Sequence, residues 1–173
     1  MGKFVAASGL MAPGLMAPGL MAAGLMAAGL AAGSAWADCS PGTLELRSGT
    51  GSVMRFTVEI ADSGAERAQG LMNRPALATS AGMLFVYDAP QHARFWMRNT
   101  LVPLDMIFAD ATGLVTRVHS DAVPLDDTSI DGGEGVVLVL EINGGLAKRL
   151  GIGPGAALRH PAITQSAAVW PCD

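Results

Sequence analysis

Residues 104–120 read LDMIFADATGLVTRVHS, two apolar-rich runs separated by a turn. The first run, Leu104–Ala109, and the second, Leu114–Ser120, each have the length and composition of a β-strand. The four residues between them, Asp110–Gly113, read Asp-Ala-Thr-Gly, and Asp and Gly favour tight turns because they tolerate unusual backbone angles. The stretch therefore predicts a β-hairpin.

Further strands are predicted on both sides of this hairpin. Apolar and polar side chains alternate within Val53–Ile60, as they do on a half-buried strand. Val136–Leu140 is apolar at every position, which indicates a strand that is covered on both faces. Together with the hairpin, strands are predicted at Thr43–Arg47, Val53–Ile60, Gly82–Tyr87, Arg94–Arg98, Val136–Ile142 and Ala156–His160.

The predicted helices are few and short. Ser63 and Glu66 have the spacing of a capping box, which predicts a helix that ends near Gly70. Asn143 is predicted to cap a second helix, Gly144–Leu150. Many short strands with two short helices predict a mainly β (α+β) fold, a compact antiparallel β-barrel or sandwich.

Residues 1–37 have the three regions of a secretory signal peptide. Lys3 is followed by an uncharged run of repeated Gly-Leu-Met-Ala units and then by the small residues Ala35 and Ala37. Cleavage before Asp38 predicts a single globular domain, residues 38–173, that is periplasmic or secreted and has no membrane span. Retention as a membrane anchor is the alternative, but prolines in the run and the absence of a basic flanking cluster disfavour it.

Two cysteines, Cys39 and Cys172, lie near the ends of the predicted domain. In an oxidising compartment they predict one disulfide that closes nearly the whole chain, and two free thiols are the alternative. Without Lys3, ten Lys and Arg residues stand against fifteen Asp and Glu residues, which is a net charge of −5. No basic run is present, so no nucleic-acid partner is predicted.

The segment from Phe95 to Asp105 is the densest in polar and aromatic side chains. In an extended chain Arg94, Trp96 and Arg98 point to the same side. An indole beside a guanidinium can hold a planar or anionic ligand by stacking and paired hydrogen bonds, whereas the alternative is that Trp96 covers the sheet and Arg98 pairs with an acid. Asn99 opens a turn, and Asp105 is predicted either to lock this turn or also to touch a ligand.

Two more residues complete the candidate binding set, which is Trp96, Arg98, Asn99, Asp105, His119 and Glu141. His119 ends a strand and can act as an acid, a base or a ligand. Glu141 is a carboxylate at the end of an apolar strand. With Asp105 it could form the two-carboxylate arrangement of a glycosidase, although a salt bridge to an arginine is the simpler account.

The sequence predicts neither a metal site nor a cofactor. His92, His119 and His160 lack the spacing of zinc ligands. The segment Asp121–Gly135 is predicted as a long irregular loop, and its acids lack the alternating spacing of a calcium-binding hand, so calcium binding stays open there. A phosphate-binding glycine loop and a Gly-x-Ser-x-Gly motif are both missing, and no catalytic residues are predicted.

Five short motifs occur in an order that is seen in one protein family: ERAQGLM (66–72), GMLFV (82–86), FWMRNT (95–100), PLD (103–105) and VLEIN (139–143). Together they resemble the bacterial and archaeal family called domain of unknown function 192, over about Val53 to Leu158. The resemblance implies a compact, barrel-like β fold that is often exported and has no established activity. It therefore transfers no catalytic residues.

Three hypotheses for function follow. The first is a non-catalytic periplasmic module that binds a small polar ligand or an envelope partner through the candidate set. The second is a hydrolase in which Asp105 or Glu141 works with His119 in one shared cavity. The third is a structural envelope protein whose motif residues only build the fold.

Overall fold

The structure, a computed structural model, describes residues 39–172, and the predicted signal peptide lies outside the described residues. Strands dominate this part of the chain, and only two short helices interrupt them. In chain order the elements are β1 (Thr43–Arg47), β2 (Val53–Ala61), α1 (Gly64–Gln69), β3 (Ala81–Phe95), β4 (Leu104–Ala109), β5 (Val115–Ala122), β6 (Ile130–Asn143), α2 (Leu146–Leu150) and β7 (Ala157–Arg159). The fold is mainly β, as the sequence predicts.

The strands form one sheet in the order β5-β4-β6-β3-β2-β1-β7, which curls into a half-barrel. Neighbouring strands are antiparallel except β2 and β3, which run parallel. The chain between these two, residues 62–80, contains α1 and is long enough for the crossover that parallel strands require. The sheet is therefore mixed, and an isolated antiparallel bridge between Leu114 and Ala157 joins its two edges at one point. The sequence predicts the helix but does not show that the next strand runs parallel to β2.

Both faces of the central strands are buried, and all six residues of β4 are buried. One face of the sheet packs on α2, because Leu140 of β6 and Leu146 of α2 belong to the same core cluster. We call this face of the sheet the α2 face. On the opposite face the Phe95 ring contacts Phe85 and Phe108 edge to face, with ring centroids 5.3 and 5.7 Å apart. We call this the phenylalanine face.

The predicted strands Gly82–Tyr87 and Arg94–Arg98 are one bent strand, β3, which ends at Phe95. Its register against β6 shifts three times between Val86 and Arg94. Such irregularities bend a strand and turn side chains towards new positions. The prediction of a strand through Arg98 was wrong, because the chain leaves the sheet directly after Phe95.

The predicted loop Asp121–Gly135 is much shorter in the structure, since residues 130–135 form the beginning of β6. A glycine is required within this part of the strand. A Cβ atom on Gly132 would lie 2.4 Å from the ring of Phe108, so only glycine permits this close approach. The Asp- and Gly-rich composition that suggests a loop therefore marks tight packing of a strand on an aromatic ring.

Helix α1 has the predicted capping box, in which the Ser63 hydroxyl accepts from the Glu66 N–H and the Glu66 carboxylate accepts from the Ser63 N–H. Helix α2 begins at Leu146 rather than Gly144, and Asn143 does not cap it. The Asn143 amide donates instead to two carbonyls of the loop after α1. In the described part of the chain no helix is long and apolar enough to cross a membrane.

The side chain that caps α2 comes from β4. The Asp105 carboxylate is fully buried and accepts hydrogen bonds from the N–H groups of Asp121 at 2.8 Å, Gly145 at 2.9 Å and Ala147 at 2.6 Å. Hydrogen bonds to a charged acceptor are about twice as strong as neutral ones. Asp105 therefore ties β4 to the end of β5 and to the start of α2.

The two ends of the described segment are joined covalently. Cys39 and Cys172 form the predicted disulfide, with Cα atoms 5.6 Å apart. A buried ion pair joins Arg159 of β7 to Glu45 of β1 at 2.8 Å, and the Trp170 ring lies 5.7 Å from the Arg159 guanidinium. These contacts hold the C-terminal segment against the first strand.

We expect Asp105→Asn to lower the free energy of unfolding by about 2 kcal/mol or more, because the charged acceptor is lost and an amide N–H faces backbone N–H groups. Urea unfolding followed by tryptophan fluorescence measures the change. Asp88→Asn is the matched control, at an exposed carboxylate, and should change the value by less than about 0.5 kcal/mol. Similar effects of the two substitutions would contradict the capping role.

Candidate functional site

A cavity of about 120 Å³ lies on the phenylalanine face. The end of α1 and the residues after it form one side, and β3 forms the other with Phe85, Tyr87 and Arg94. Trp96 lies at its border, just beyond the end of β3, and Glu141 of β6 contributes the buried acidic group. We call this space the Glu141 cavity.

Glu141 is 4% exposed, and its carboxyl group forms no hydrogen bond or ion pair with another described residue. Burial raises the pKa of this carboxyl to about 8, because the charged form would lose its hydration without gaining a partner. The group is therefore a neutral carboxylic acid at neutral pH. In that form it can both donate and accept a hydrogen bond.

Tyr87 and Arg67 lie together at the cavity. The Arg67 guanidinium is 5.0 Å from the centre of the Tyr87 ring, and its Nη1 donates to the carbonyl oxygens of Val86, at 2.8 Å, and Asp62. Burial raises the pKa of the Tyr87 phenol, while Arg67 lowers it and Glu141 raises it further. Arg67 is thus held in place by carbonyl groups and an aromatic ring, without a carboxylate partner in residues 39–172.

Arg94 and Trp96 mark the exposed border of the cavity. Arg94 is exposed, and its guanidinium makes no ion pair or hydrogen bond with any described residue. Trp96 is 50% exposed, and the Arg98 guanidinium lies 4.8 Å from its ring centre. Arg98 in turn pairs with Asp127 at 2.9 Å, so Arg94 has the more available charge of the two arginines.

Only two of the six candidate residues, Trp96 and Glu141, line this cavity. Arg98 stacks on Trp96 as the sequence suggests, yet its charge is already paired. Asn99 has a positive φ of 54° and serves the turn after β3, where its carbonyl accepts a hydrogen bond from the Asn73 N–H at 2.7 Å. Asn99 therefore joins this turn to the loop after α1 rather than entering the cavity.

Asp105 and Glu141 lie on opposite faces of the sheet. In the register of β4 and β6, Asp105 is opposite Ile142 and Met106 is opposite Glu141. Directly opposed residues share a face and successive residues alternate between faces, so the two carboxyl groups point away from each other. The two-carboxylate arrangement of a glycosidase does not form.

His119 belongs to a different cavity, of about 460 Å³, that it lines together with Asp121 and Asp126. It shares the phenylalanine face with Glu141, but Met106 of the intervening strand is opposite both residues. Two strand spacings of about 4.8 Å separate their backbones. The structure therefore does not bring His119 into one cavity with either Glu141 or Asp105.

The acids of the predicted loop have partners of their own. Asp127 pairs with Arg98, whereas Asp131 and Glu134 each contact one ring nitrogen of His92 at 2.8 Å. Within residues 39–172 no group of three or more His, Cys, Asp or Glu side chains is arranged to hold a metal ion. Asp127, Asp131 and Glu134 of this acidic segment are therefore paired with nearby basic side chains.

Sequence reasoning missed Arg67 and Tyr87 as site residues and grouped Arg94 with Arg98. Tyr87 was the end of a predicted strand, and Arg67 was part of a predicted helix. The parallel return of β3 beside β2 brings these elements together. One signal was available in the sequence: Arg67 and Glu141 each lie in a motif that the family resemblance rests on. Without the strand order, however, nothing showed that these two motifs meet at one site.

Fold and site together define a class of protein: a half-barrel domain that buries a carboxylic acid in a small cavity bordered by arginines. The family model DUF192, described as "Uncharacterized ACR", matches residues 45–160. The chain belongs to this family, domain of unknown function 192, in agreement with the resemblance of its motifs.

Two solved structures are similar to this chain. One is a candidate transcription regulator from Sinorhizobium meliloti, 39% identical with a TM-score of 0.67, and the match covers 70% of this chain and 94% of that one. The other is a protein of unknown function from Novosphingobium aromaticivorans, 43% identical with a TM-score of 0.65, covering 67% and 82% of the two chains. A comparison with curated proteins finds no match.

The raised pKa of Glu141 predicts a pH dependence of stability. Between the ordinary value of 4.5 and about 8, the folded protein keeps a proton that the unfolded chain has released. The free energy of unfolding therefore falls as the pH rises through this window, by up to about 1.4 kcal/mol for each pH unit.

We expect Glu141→Gln to remove this slope. Urea unfolding of the wild type and the variant from pH 5 to pH 8 measures the difference in their free energies of unfolding, which should shift steadily in favour of the variant. Glu134→Gln, which removes an exposed carboxylate on the same strand, is the control substitution. A wild-type and Glu141→Gln difference that stays constant over this range would contradict the assignment.

Proposed function

We propose that this protein is an exported, non-catalytic module that binds a small polar ligand in the Glu141 cavity. The observation that supports it is the buried Glu141 carboxyl, which lines the cavity without a hydrogen-bond partner in the described chain. A buried polar group without a partner costs about 1–3 kcal/mol. A ligand that supplies the hydrogen bond offsets this, and apolar walls with a few convergent polar groups are typical of ligand sites.

Export is the second part of the proposal. It is supported by the signal-like residues 1–37 and by the disulfide between Cys39 and Cys172, a bond that persists in oxidising compartments. Cleavage before Asp38 leaves Cys39 as the second residue of the mature chain. We therefore place the binding module in the periplasm or outside the cell.

The alternatives are less well supported. The hydrolase hypothesis needs His119 in one cavity with Asp105 or Glu141, and neither Asp105 nor His119 lines the cavity that contains Glu141. A purely structural role explains Asp105 but not Glu141, which has no partner in the described part of the chain. An envelope protein as the partner would use the exposed Trp96 and Arg98 pair outside the cavity. Transcription regulation, suggested by the description of the Sinorhizobium neighbour, is disfavoured by the net charge of −5 of residues 38–173, which repels phosphate groups.

Binding is tested by a thermal-shift screen of the oxidised full chain against sugars, amino acids, small carboxylic acids and amines. We expect at least one compound to raise the melting temperature, because a ligand that binds only the native state stabilises it. Glu141→Leu should abolish the shift, since leucine has similar size but no hydrogen-bonding group. Glu134→Leu, at an exposed position of the same strand, should preserve it. A screen without any Glu141-dependent shift would oppose the proposal.

Export is tested by expressing the full chain in a bacterial host and measuring the mass of the protein in the periplasmic fraction. We expect a species that begins at Asp38 and carries one disulfide. Replacing both Ala35 and Ala37 with arginine should block cleavage, because the cleavage site needs small residues. A chain that accumulates uncleaved in the cytoplasm would refute export.

A further inference from the structure

We propose that the ligand of the Glu141 cavity is a small organic acid, bound as its carboxylate by the Arg94 guanidinium and by a hydrogen bond from the Glu141 carboxyl. This inference rests on the proposed function and specifies the chemical class of the ligand. The charges around the cavity, its walls and its size each support it.

The cationic groups of the cavity have no acidic partner in the described chain. The Arg94 guanidinium forms no ion pair or hydrogen bond there, and Arg67 donates to backbone carbonyls while it stacks on Tyr87. By contrast, Arg74 and Arg98 outside the cavity pair with carboxylates. A planar guanidinium binds a carboxylate with two parallel hydrogen bonds, so Arg94 can receive the charged end of an organic acid.

Glu141 in its neutral, protonated form is complementary to the carboxylate of the ligand. A protonated carboxyl donates an O–H, and an O–H to carboxylate hydrogen bond is among the stronger ones in proteins. An amine would need the ionised acid and would meet the positive charges of Arg67 and Arg94. A neutral sugar would leave the Arg94 guanidinium without an ion pair. Of the three ligand classes, only an anion therefore pairs with Arg94 and also accepts the hydrogen bond from Glu141.

The walls and the size of the cavity limit the rest of the ligand. Leu71, Phe85 and Phe95 line it, so the group that follows the carboxylate is apolar. The volume is about 120 Å³. An engineered protein cavity of about 150 Å³ binds benzene, so a ligand of about six heavy atoms fits. Butyrate, with four carbons and two oxygens, is a suitable probe.

Affinity for the acid should depend on pH. Glu141 is faced by Tyr87 and Arg94 from β3 and by Arg67 from α1, while β4 contributes the non-ionisable Met106. When Glu141 loses its proton above pH 8, it no longer donates to the ligand and repels its charge. Loss of a hydrogen bond to a charged group weakens binding about tenfold or more.

The experiment is a chemical-shift titration by NMR of the oxidised full chain with butyrate, butyramide and butylamine. We expect butyrate to bind at pH 6.5, and the amide and the amine to bind at least about tenfold more weakly. Arg94→Gln should weaken butyrate binding to the same extent. Arg149→Gln, at an exposed arginine of α2 that does not line the cavity, should leave it unchanged.

The two proposals fail in different ways. Amide or amine binding as tight as that of butyrate, or butyrate binding that survives Arg94→Gln, overturns the carboxylate class. Binding that Glu141→Leu abolishes would in that case still support the cavity as a ligand site. If no compound in this titration or in the thermal-shift screen shows Glu141-dependent binding, both proposals are refuted.

Discussion

The Asp105 carboxylate holds together three segments that are distant in the sequence. It accepts hydrogen bonds from the N–H groups of Asp121 in β5 and of Gly145 and Ala147 at the start of α2. A negative charge satisfies the free donors at a helix start, so α2 begins without a local cap. Because α2 covers one face of the sheet, the packing of that face and the attachment of β5 both depend on this side chain.

Glu141 is the second buried acid of the central strands, and its situation is the opposite. It points to the phenylalanine face, while Asp105 points to the α2 face. Asp105 has three donors for its carboxylate, whereas burial leaves Glu141 neutral and without a partner among residues 39–172. Buried acids without partners are rare in folded proteins. This contrast separates a carboxylate that builds the fold from one that we assign to ligand binding.

Most of the strands were predictable because alternating or continuous apolar runs report directly on burial. The candidate site was predictable only in part. Trp96 and Glu141 reach the cavity, but Asp105 and His119 do not, because alternation along one strand places a residue on a face without identifying what lies across that face. Arg67 reaches the site because the chain crosses over between the parallel strands β2 and β3. The sequence of the helix that contains Arg67 does not predict this crossover.

The sequence alone determined the β-rich class, the capping box of α1, the pairing of Cys39 with Cys172 and the family to which the chain belongs. These follow from local patterns or from having only two cysteines. Tertiary structure decided which buried acid is hydrogen-bonded and which arginine has no acidic partner among the described residues. Those outcomes depend on strand order and register, because a shift by one residue moves a side chain to the other face of the sheet.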